Sequence, residues 1–439
     1  MNVSVVLDET GFSRYAYSIL ADSWGWPLEQ MATNHPPLIP YQLAVLTYLF
    51  GGSLEIFRVL IIFYGSFTVI VVYYLSKELY DQRVGILSAL LLTFYSYHII
   101  YSKYVMLEVP LIFFIFSYLY FFWKSYNKPT DIKSAMISGV FLGLAISTKY
   151  IGFLLYLASI LFILLDNLNK RSHLSITSLL ERRYIIIFLV SLLVFSPFLI
   201  QIIINSVNPF FFQLFGRFKI GNPTYIQYPS LLGMIVSGFN QYISTIMDSN
   251  GLATESLPWL FIFQLAAQFL FPVTIFYYAL NIKKSNYSYL LVFYMVFNAF
   301  VFFYGTRHQN YQLWVFPAFL IMLSQLTIVS INSVKNNNIY INAYKSLLNR
   351  ALLLFSFIFI ISFIFIGATA PALNKDSEWK ISGYEYAAKY IINNINENDL
   401  VATDATIYLE YLITTNKYDL EKIIIYYLIF ITLTKSMVK

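Results

Sequence analysis

The sequence predicts an α-helical, polytopic membrane protein of about ten transmembrane helices, with a small α/β fragment at its C-terminal end. Three observations carry that prediction. Of the 439 residues, 59% are hydrophobic and 11% charged, whereas a soluble domain carries about 25% charged residues. Apolar runs long enough to cross a bilayer recur along the chain. Lys and Arg are dense in every second connection, as they are where cytoplasmic loops alternate with outer ones.

Composition also excludes several function classes. With no cysteine, the chain itself offers no disulfide, thiolate nucleophile, Cys-ligated zinc or iron–sulfur cluster. The net charge of +6 is scattered among connections instead of gathered on one face, so nucleic acid is not an expected partner. The 38 Tyr and 41 Phe suit a protein with two membrane interfaces at which amphipathic rings settle.

A span needs about 20 mainly apolar residues. Such stretches fall at 55–76, 84–100, 105–123, 134–149, 150–165, 184–206, 257–280, 288–304, 311–330 and 351–367. The pair at 134–165 leaves only Lys149 and Tyr150 for its turn. The run Leu38–Phe50 is too short to span and reads as an interfacial or re-entrant helix.

Connections 77–83, 124–133, 166–183, 281–287 and 331–350 hold fourteen Lys and Arg. On the other side, Arg14, Lys103, Lys149, Arg217, Lys219 and Arg307 make six before the tail. The N-terminal segment, the loop 207–256 and the tail after Ala368 are therefore expected to face outward. This divides the chain into an outward segment with interfacial helices at 1–54, a transmembrane domain at 55–367 and an outward α/β tail at 368–439.

Within the long loop, Tyr228–Met247 reads as a helix along the interface, placed to cover an outward cavity. In the tail, Ile381–Asn394 and Ala405–Ile413 read as helices, Asp399–Thr403 as a strand, and Ile423–Thr434 as an apolar run too short to cross unaided. Only a short apolar stub precedes Asp8, so a further helix encoded upstream of Met1 is expected to orient the start of the chain. The chain shows no internal repeat, which lowers the standing of the common secondary-transporter architectures.

The chemistry-bearing residues gather at outer helix ends. Asp8 and Glu9 precede the helical run Tyr15–Leu20 and the turn Trp24–Pro27. A carboxylate beside an apolar wall can serve as a base, although a solvated helix start capped by Asp8 accounts for the pair equally well. His35, held by Pro36 and Pro37, suits a phosphate or a metal, and equally a structural role. Arg58 and Glu108 lie in the first turns of their spans, where a charge is expensive and raises a functional hypothesis. Lys103, Lys149, Arg307 and His308 are each ordinary interfacial anchors alone. Together, these groups suggest one polar pocket at the membrane surface, with cations for a lipid phosphate and a carboxylate for a hydroxyl nucleophile. No Walker-type glycine loop and no Asp-x-Asp spacing is present, so a nucleotide substrate is not expected.

At these residues the chain resembles the membrane glycosyltransferases of the GT-C fold, in the family of dolichyl-phosphate-mannose protein mannosyltransferases and bacterial aminoarabinose transferases. The resemblance rests on Asp8-Glu9, the run NHPPL at Asn34–Leu38, Gly52 followed by Arg58, YSKYVMLE at Tyr101–Glu108 and GVFLGLAISTKY at Gly139–Tyr150. It covers the first 150 residues in order, and the later spans in topology only. Members of that family carry a transmembrane helix before the acidic pair and a longer C-terminal part.

The resemblance implies transfer of a sugar from a polyprenyl-phosphate carrier to a protein, lipid or glycan acceptor, with inversion, at the outer face of a membrane. The plasma membrane of a prokaryote is the expected site. By analogy Asp8 is the base and Glu9 assists it. Lys103, Arg58 and Arg307 hold the carrier phosphate, with His35, Glu108 and Lys149 lining the substrate site. No soluble cofactor is required; a divalent cation, Mg2+ or Mn2+, has Asp8, Glu9 and His35 as its candidate ligands. A glycan polymerase or flippase is the nearest alternative, and a secondary transporter a more distant one.

Overall fold

The computed structural model describes residues 7–21, 35–171, 176–205, 258–303, 313–336, 343–377, 401–403 and 423–425. The helices in chain order are α1 (Leu7–Ala21), α2 (Leu38–Phe50), α3 (Leu54–Leu79), α4 (Gln82–Thr93), α5 (Ser96–Tyr101), α6 (Glu108–Asn127) and α7 (Ile132–Thr148). They continue as α8 (Leu154–Arg171), α9 (Arg182–Asn205), α10 (Pro258–Leu280), α11 (Ser285–Phe303), α12 (Phe316–Asn336) and α13 (Ala343–Ser377). Two three-residue strands, β1 (Val401–Thr403) and β2 (Ile423–Ile425), pair in parallel with Val401 opposite Ile423. β1 coincides with the strand read in the tail. The expected tail helices, the loop 207–256 with Tyr228–Met247, and the turn Trp24–Pro27 lie outside the described residues.

Among the described residues, six helices are long and apolar enough to cross a membrane: those at Leu54–Leu79, Glu108–Asn127, Tyr150–Lys170, Arg182–Ile200, Phe316–Lys335 and Asn349–Ala368. The remaining four predicted spans fall on α4 with α5, on α7, on α10 and on α11. Large apolar side chains such as Leu193, Phe276 and Phe357 stand outward along the bundle. A soluble protein does not tolerate such a surface, whereas lipid accepts it provided the backbone is bonded within helices. The chain is a multi-pass membrane protein.

Local sequence sets the helix starts. Ser53 accepts a hydrogen bond from the Ile56 amide at 3.3 Å ahead of α3. Asp81 accepts from Arg83 and Val84 at 2.7 and 2.9 Å ahead of α4, and Asp131 accepts from the Ser134 amide at 3.0 Å ahead of α7. Each satisfies amides that the first turn leaves without helical partners. Gly51 ends α2 with φ at 78°, a conformation that favours glycine. Tyr48, Leu49 and Phe50 at that end are exposed.

One predicted span is corrected. The stretch 84–100 is not a single helix, because α4 stops at Thr93 and α5 begins at Ser96. The cause is tertiary: Gly367 of α13 presses on the Phe94 carbonyl so closely that no Cβ fits there. Tyr95 meanwhile stacks with Phe316 and Phe363 in a cluster of three rings, at 4.3 and 6.0 Å. The doubtful pair 134–165 is two helices, joined by extended Lys149 and a single turn of 3-10 helix at Tyr150–Phe153. α7 lies against α9 through Gly139 and Gly143, where a Cβ would meet the Ile187 carbonyl at 2.8 Å and the Ser191 carbonyl at 2.7 Å. Small residues four apart let membrane helices approach this closely.

The connections alternate along the bundle and define two ends. The Asp166 end is tied by a polar knot. Asp166 accepts from Ser285 Oγ at 2.5 Å and from the Tyr126 hydroxyl, and pairs with Lys170 at 2.9 Å. Arg183 donates to the Ser125 and Tyr126 carbonyls at 3.0 and 2.5 Å and lies over the Tyr184 ring.

Candidate active site at the Arg58 end

The opposite end has its own small apolar core. Phe12, Ala16 and Ile19 of α1 join Ile39, Leu43 and Ala44 of α2, Phe57 and Ile61 of α3, and Val105 and Leu107. Gly52 lies so close to the Tyr17 ring that a side chain there would overlap it, which explains the glycine noted in the sequence. α1 is thereby seated on the membrane helices by its apolar face.

Within this core Glu9 is fully enclosed. Arg58 grips it bidentately, Nε to Oε1 and Nη2 to Oε2, both at 2.8 Å. The Val105 amide donates to the same Oε1 at 3.0 Å. A planar guanidinium matched to a carboxylate is among the stronger charge-assisted contacts, and the low-dielectric surroundings strengthen it. The Arg58 guanidinium also faces the Tyr104 ring at 5.8 Å. One buried carboxylate thus joins α1, α3 and the connection ahead of α6.

That connection, residues 102–107, is a compact turn. Ser102 N–H donates to the His98 carbonyl, Lys103 N–H to Ile100 and Met106 N–H to Tyr104, at 3.0, 3.0 and 2.9 Å. It ends at Glu108, buried at the first position of α6, whose Oε1 receives Lys149 Nζ at 2.8 Å. Lys149 lies over the Trp314 ring at 5.0 Å. Lys103 is half-buried in the same turn. Among the described residues it has no ion-pair partner.

The sequence-derived candidates are therefore sorted. Glu9 with Arg58, and Glu108 with Lys149, are brought together as ion pairs, and Lys103 lies two residues before the Val105 amide that bonds Glu9. Asp8 occupies the first turn of α1, one residue before Glu9, within the helix and not ahead of it; the first turn is a favourable place for a carboxylate. The His35 ring is 6.1 Å from that of Phe12. Arg307 and His308 lie outside the described residues.

Of the candidate metal ligands Asp8, Glu9 and His35, Glu9 is already committed to other partners. Both Glu9 oxygens are engaged by Arg58 and one also by Val105. Among the described residues, no three His, Cys, Asp or Glu side chains come together. Tyr104 and Val105 entered the sequence reading only as part of the run YSKYVMLE, without a role of their own, and Trp314 was not singled out, since a lone aromatic ring carries no motif. His98, buried in α5 with Nε2 lacking a partner among the described residues, was hidden inside an apolar run.

Comparisons place this architecture among known proteins. A family model described as dolichyl-phosphate-mannose-protein mannosyltransferase matches residues 34–201. Dolichyl-phosphate-mannose–protein mannosyltransferase 1 of Saccharomyces cerevisiae is 30% identical over 129 residues, which are 28% of this chain and 14% of that protein. The chain thus spans a small part of the length of that relative. The structure of ArnT from Cupriavidus metallidurans bound to undecaprenyl phosphate superimposes with a TM-score of 0.65 at 13% identity, covering 96% of this chain and 81% of that one. The archaeal oligosaccharyltransferase AglB from Archaeoglobus fulgidus, in complex with an inhibitory peptide and a dolichol-phosphate, gives a TM-score of 0.55 at 14% identity, covering 92% and 55%.

The chain has the GT-C fold of multi-pass membrane proteins. The mannosyltransferase and the oligosaccharyltransferase it resembles are glycosyltransferases by name. The matched segment holds four of the five motifs on which the sequence resemblance rests; the Asp8-Glu9 pair lies ahead of it.

Proposed function

We propose that the chain is an integral-membrane glycosyltransferase that moves a sugar from a polyprenyl-phosphate carrier to an acceptor hydroxyl, with inversion, on the outer face of a prokaryotic plasma membrane. The observation that carries this reading is the turn 102–107. It carries Lys103, a cation without an ion-pair partner among the described residues, at one end of the bundle, which suits a lipid-borne phosphate. The helix that carries Asp8, α1, is tied to this turn by the bond from the Val105 amide to Glu9. The relatives support the carrier class, since ArnT is bound to undecaprenyl phosphate and AglB to a dolichol-phosphate. A protein acceptor is the one the yeast relative and the AglB peptide complex support.

In this reading the acceptor oxygen attacks the anomeric carbon from the face opposite the phosphate. The bond from that carbon to the phosphate oxygen breaks, and its electron pair leaves with the phosphate. Asp8 takes the hydroxyl proton. Negative charge grows on the phosphate as the sugar gains oxocarbenium character, and the fixed Lys103 cation stabilises that separation. Glu108 and Lys149 neutralise each other and shape the wall. A transporter would set charged groups near the bilayer midplane, whereas those of the described helices gather at the two ends.

Asp8→Asn tests the assignment. Membranes containing the variant, supplied with undecaprenyl-phosphate-linked mannose or aminoarabinose, should lose transfer by about a hundredfold or more, the range for a general base, with insertion unchanged. Full transfer by that variant would remove Asp8 from the role of base.

A further inference from the structure

We propose that Arg58 is a positioning residue: through Glu9 it locks the helix that carries Asp8 to the turn that carries Lys103, and it does not itself hold the carrier phosphate. The proposal rests on the function proposed above. It departs from the sequence reading, in which Arg58 is one of the phosphate cations.

The geometry argues for the lock. Glu9 is fully enclosed and Arg58 nearly so, and both nitrogens that Arg58 turns toward Glu9 bond at 2.8 Å. For Arg58 to take a phosphate instead, it would have to release a carboxylate that has no exposure to solvent. That would leave a buried, unpaired charge, which is strongly unfavourable. The same Glu9 Oε1 accepts the Val105 amide at 3.0 Å, so the pair fixes the backbone two residues after Lys103. On the other side of the lock, Asp8 is the residue next to Glu9. The proposed proton acceptor and phosphate cation come from chain segments about a hundred residues apart, and this carboxylate is the tie between them.

Two measurements on the full chain in lipid nanodiscs test the proposal. The first is amide hydrogen exchange over 102–107, which needs no substrate. Arg58→Gln and Glu9→Gln should each raise it on the order of a hundredfold, as expected when one partner of a buried pair is removed. The double variant Glu9→Gln with Arg58→Gln should restore most of the protection, because the amides still pair and no charge is stranded. Unchanged exchange in the single variants would overturn the lock.

The second measurement is preference for undecaprenyl phosphate over undecaprenol, read by competition binding. Lys103→Gln should abolish the preference. The double variant should keep it, because its Lys103 is still in place. Loss of preference in the double variant, with the turn protected, would make Arg58 a phosphate contact and overturn the proposal. If the unaltered protein shows no preference, the proposed function falls, while the exchange result still decides whether the lock exists.

Discussion

The two ends of the bundle both bury charge, but they use it differently. At the Asp166 end, Asp166 is shared among Tyr126, Lys170 and Ser285, and Arg183 is turned onto two carbonyls. Those contacts rivet α6, α8, α9 and the start of α11. At the Arg58 end, two ion pairs flank a turn whose Lys103 has no ion-pair partner among the described residues. A membrane protein can therefore place costly ionisable groups at both surfaces for different reasons. Charges that bond to helix carbonyls hold the fold, and a cation carried on a turn that two satisfied pairs hold in place can meet an anionic ligand.

Substitutions that should cost the same if the ends were equivalent can break this contrast. The largest effect is expected at Glu108→Gln. It strands Lys149, whose side chain is 13% exposed, and should destabilise by about 3–5 kcal/mol, the range for a broken buried pair. Denaturant unfolding in mixed micelles would measure it. Lys170→Met breaks the ion pair at the other end, but Asp166 keeps its hydrogen bonds from Tyr126 and Ser285 and the lysine is 55% exposed, so the loss should stay within about 1 kcal/mol. Equal losses would erase the distinction.

Gly143→Leu tests the packing that joins the ends along α7. Its side chain would meet Val194 and the Ser191 carbonyl, and overpacking of this kind costs about 1–3 kcal/mol. The smallest effect is expected at Asp131, whose carboxyl is held below its ordinary value of 3.8 by hydrogen bonds from the Ser134 hydroxyl and amide. Because the folded value is the lower one, this contribution is complete above the ordinary value and disappears as pH falls through the folded value. Asp131→Ala should cost about 1 kcal/mol at neutral pH, as a lost cap does. The variant and the parent should converge in strongly acidic buffer.

The helices were legible because apolar runs of bilayer length leave little alternative, and the alternation of Lys and Arg ordered them into one topology. The break between α4 and α5 was not. Neither Pro nor Gly stands at Phe94 or Tyr95, and its cause, Gly367, is far along the chain. The candidate site was legible as a set of residues at one end. Its pairing was not, since Glu9 and Arg58 are 49 residues apart and Glu108 and Lys149 are 41 apart. Sequence could place Arg58 beside an acid or beside a phosphate with equal reason. Only packing chose the acid.

The length of α13 has a consequence beyond the bundle. Its 35 residues extend about 52 Å at the α-helical rise, against about 30 Å of bilayer hydrocarbon. The apolar window Asn349–Ala368 fills the lipid, and the last nine residues, through Ser377, continue as about 13 Å of helix at the same rise. Since α13 is seated against Phe94 by Gly367, that extension works as a rigid spar. Its C-terminal end, Ser377, therefore stands beyond the apolar window on the same side of the bundle as Arg58.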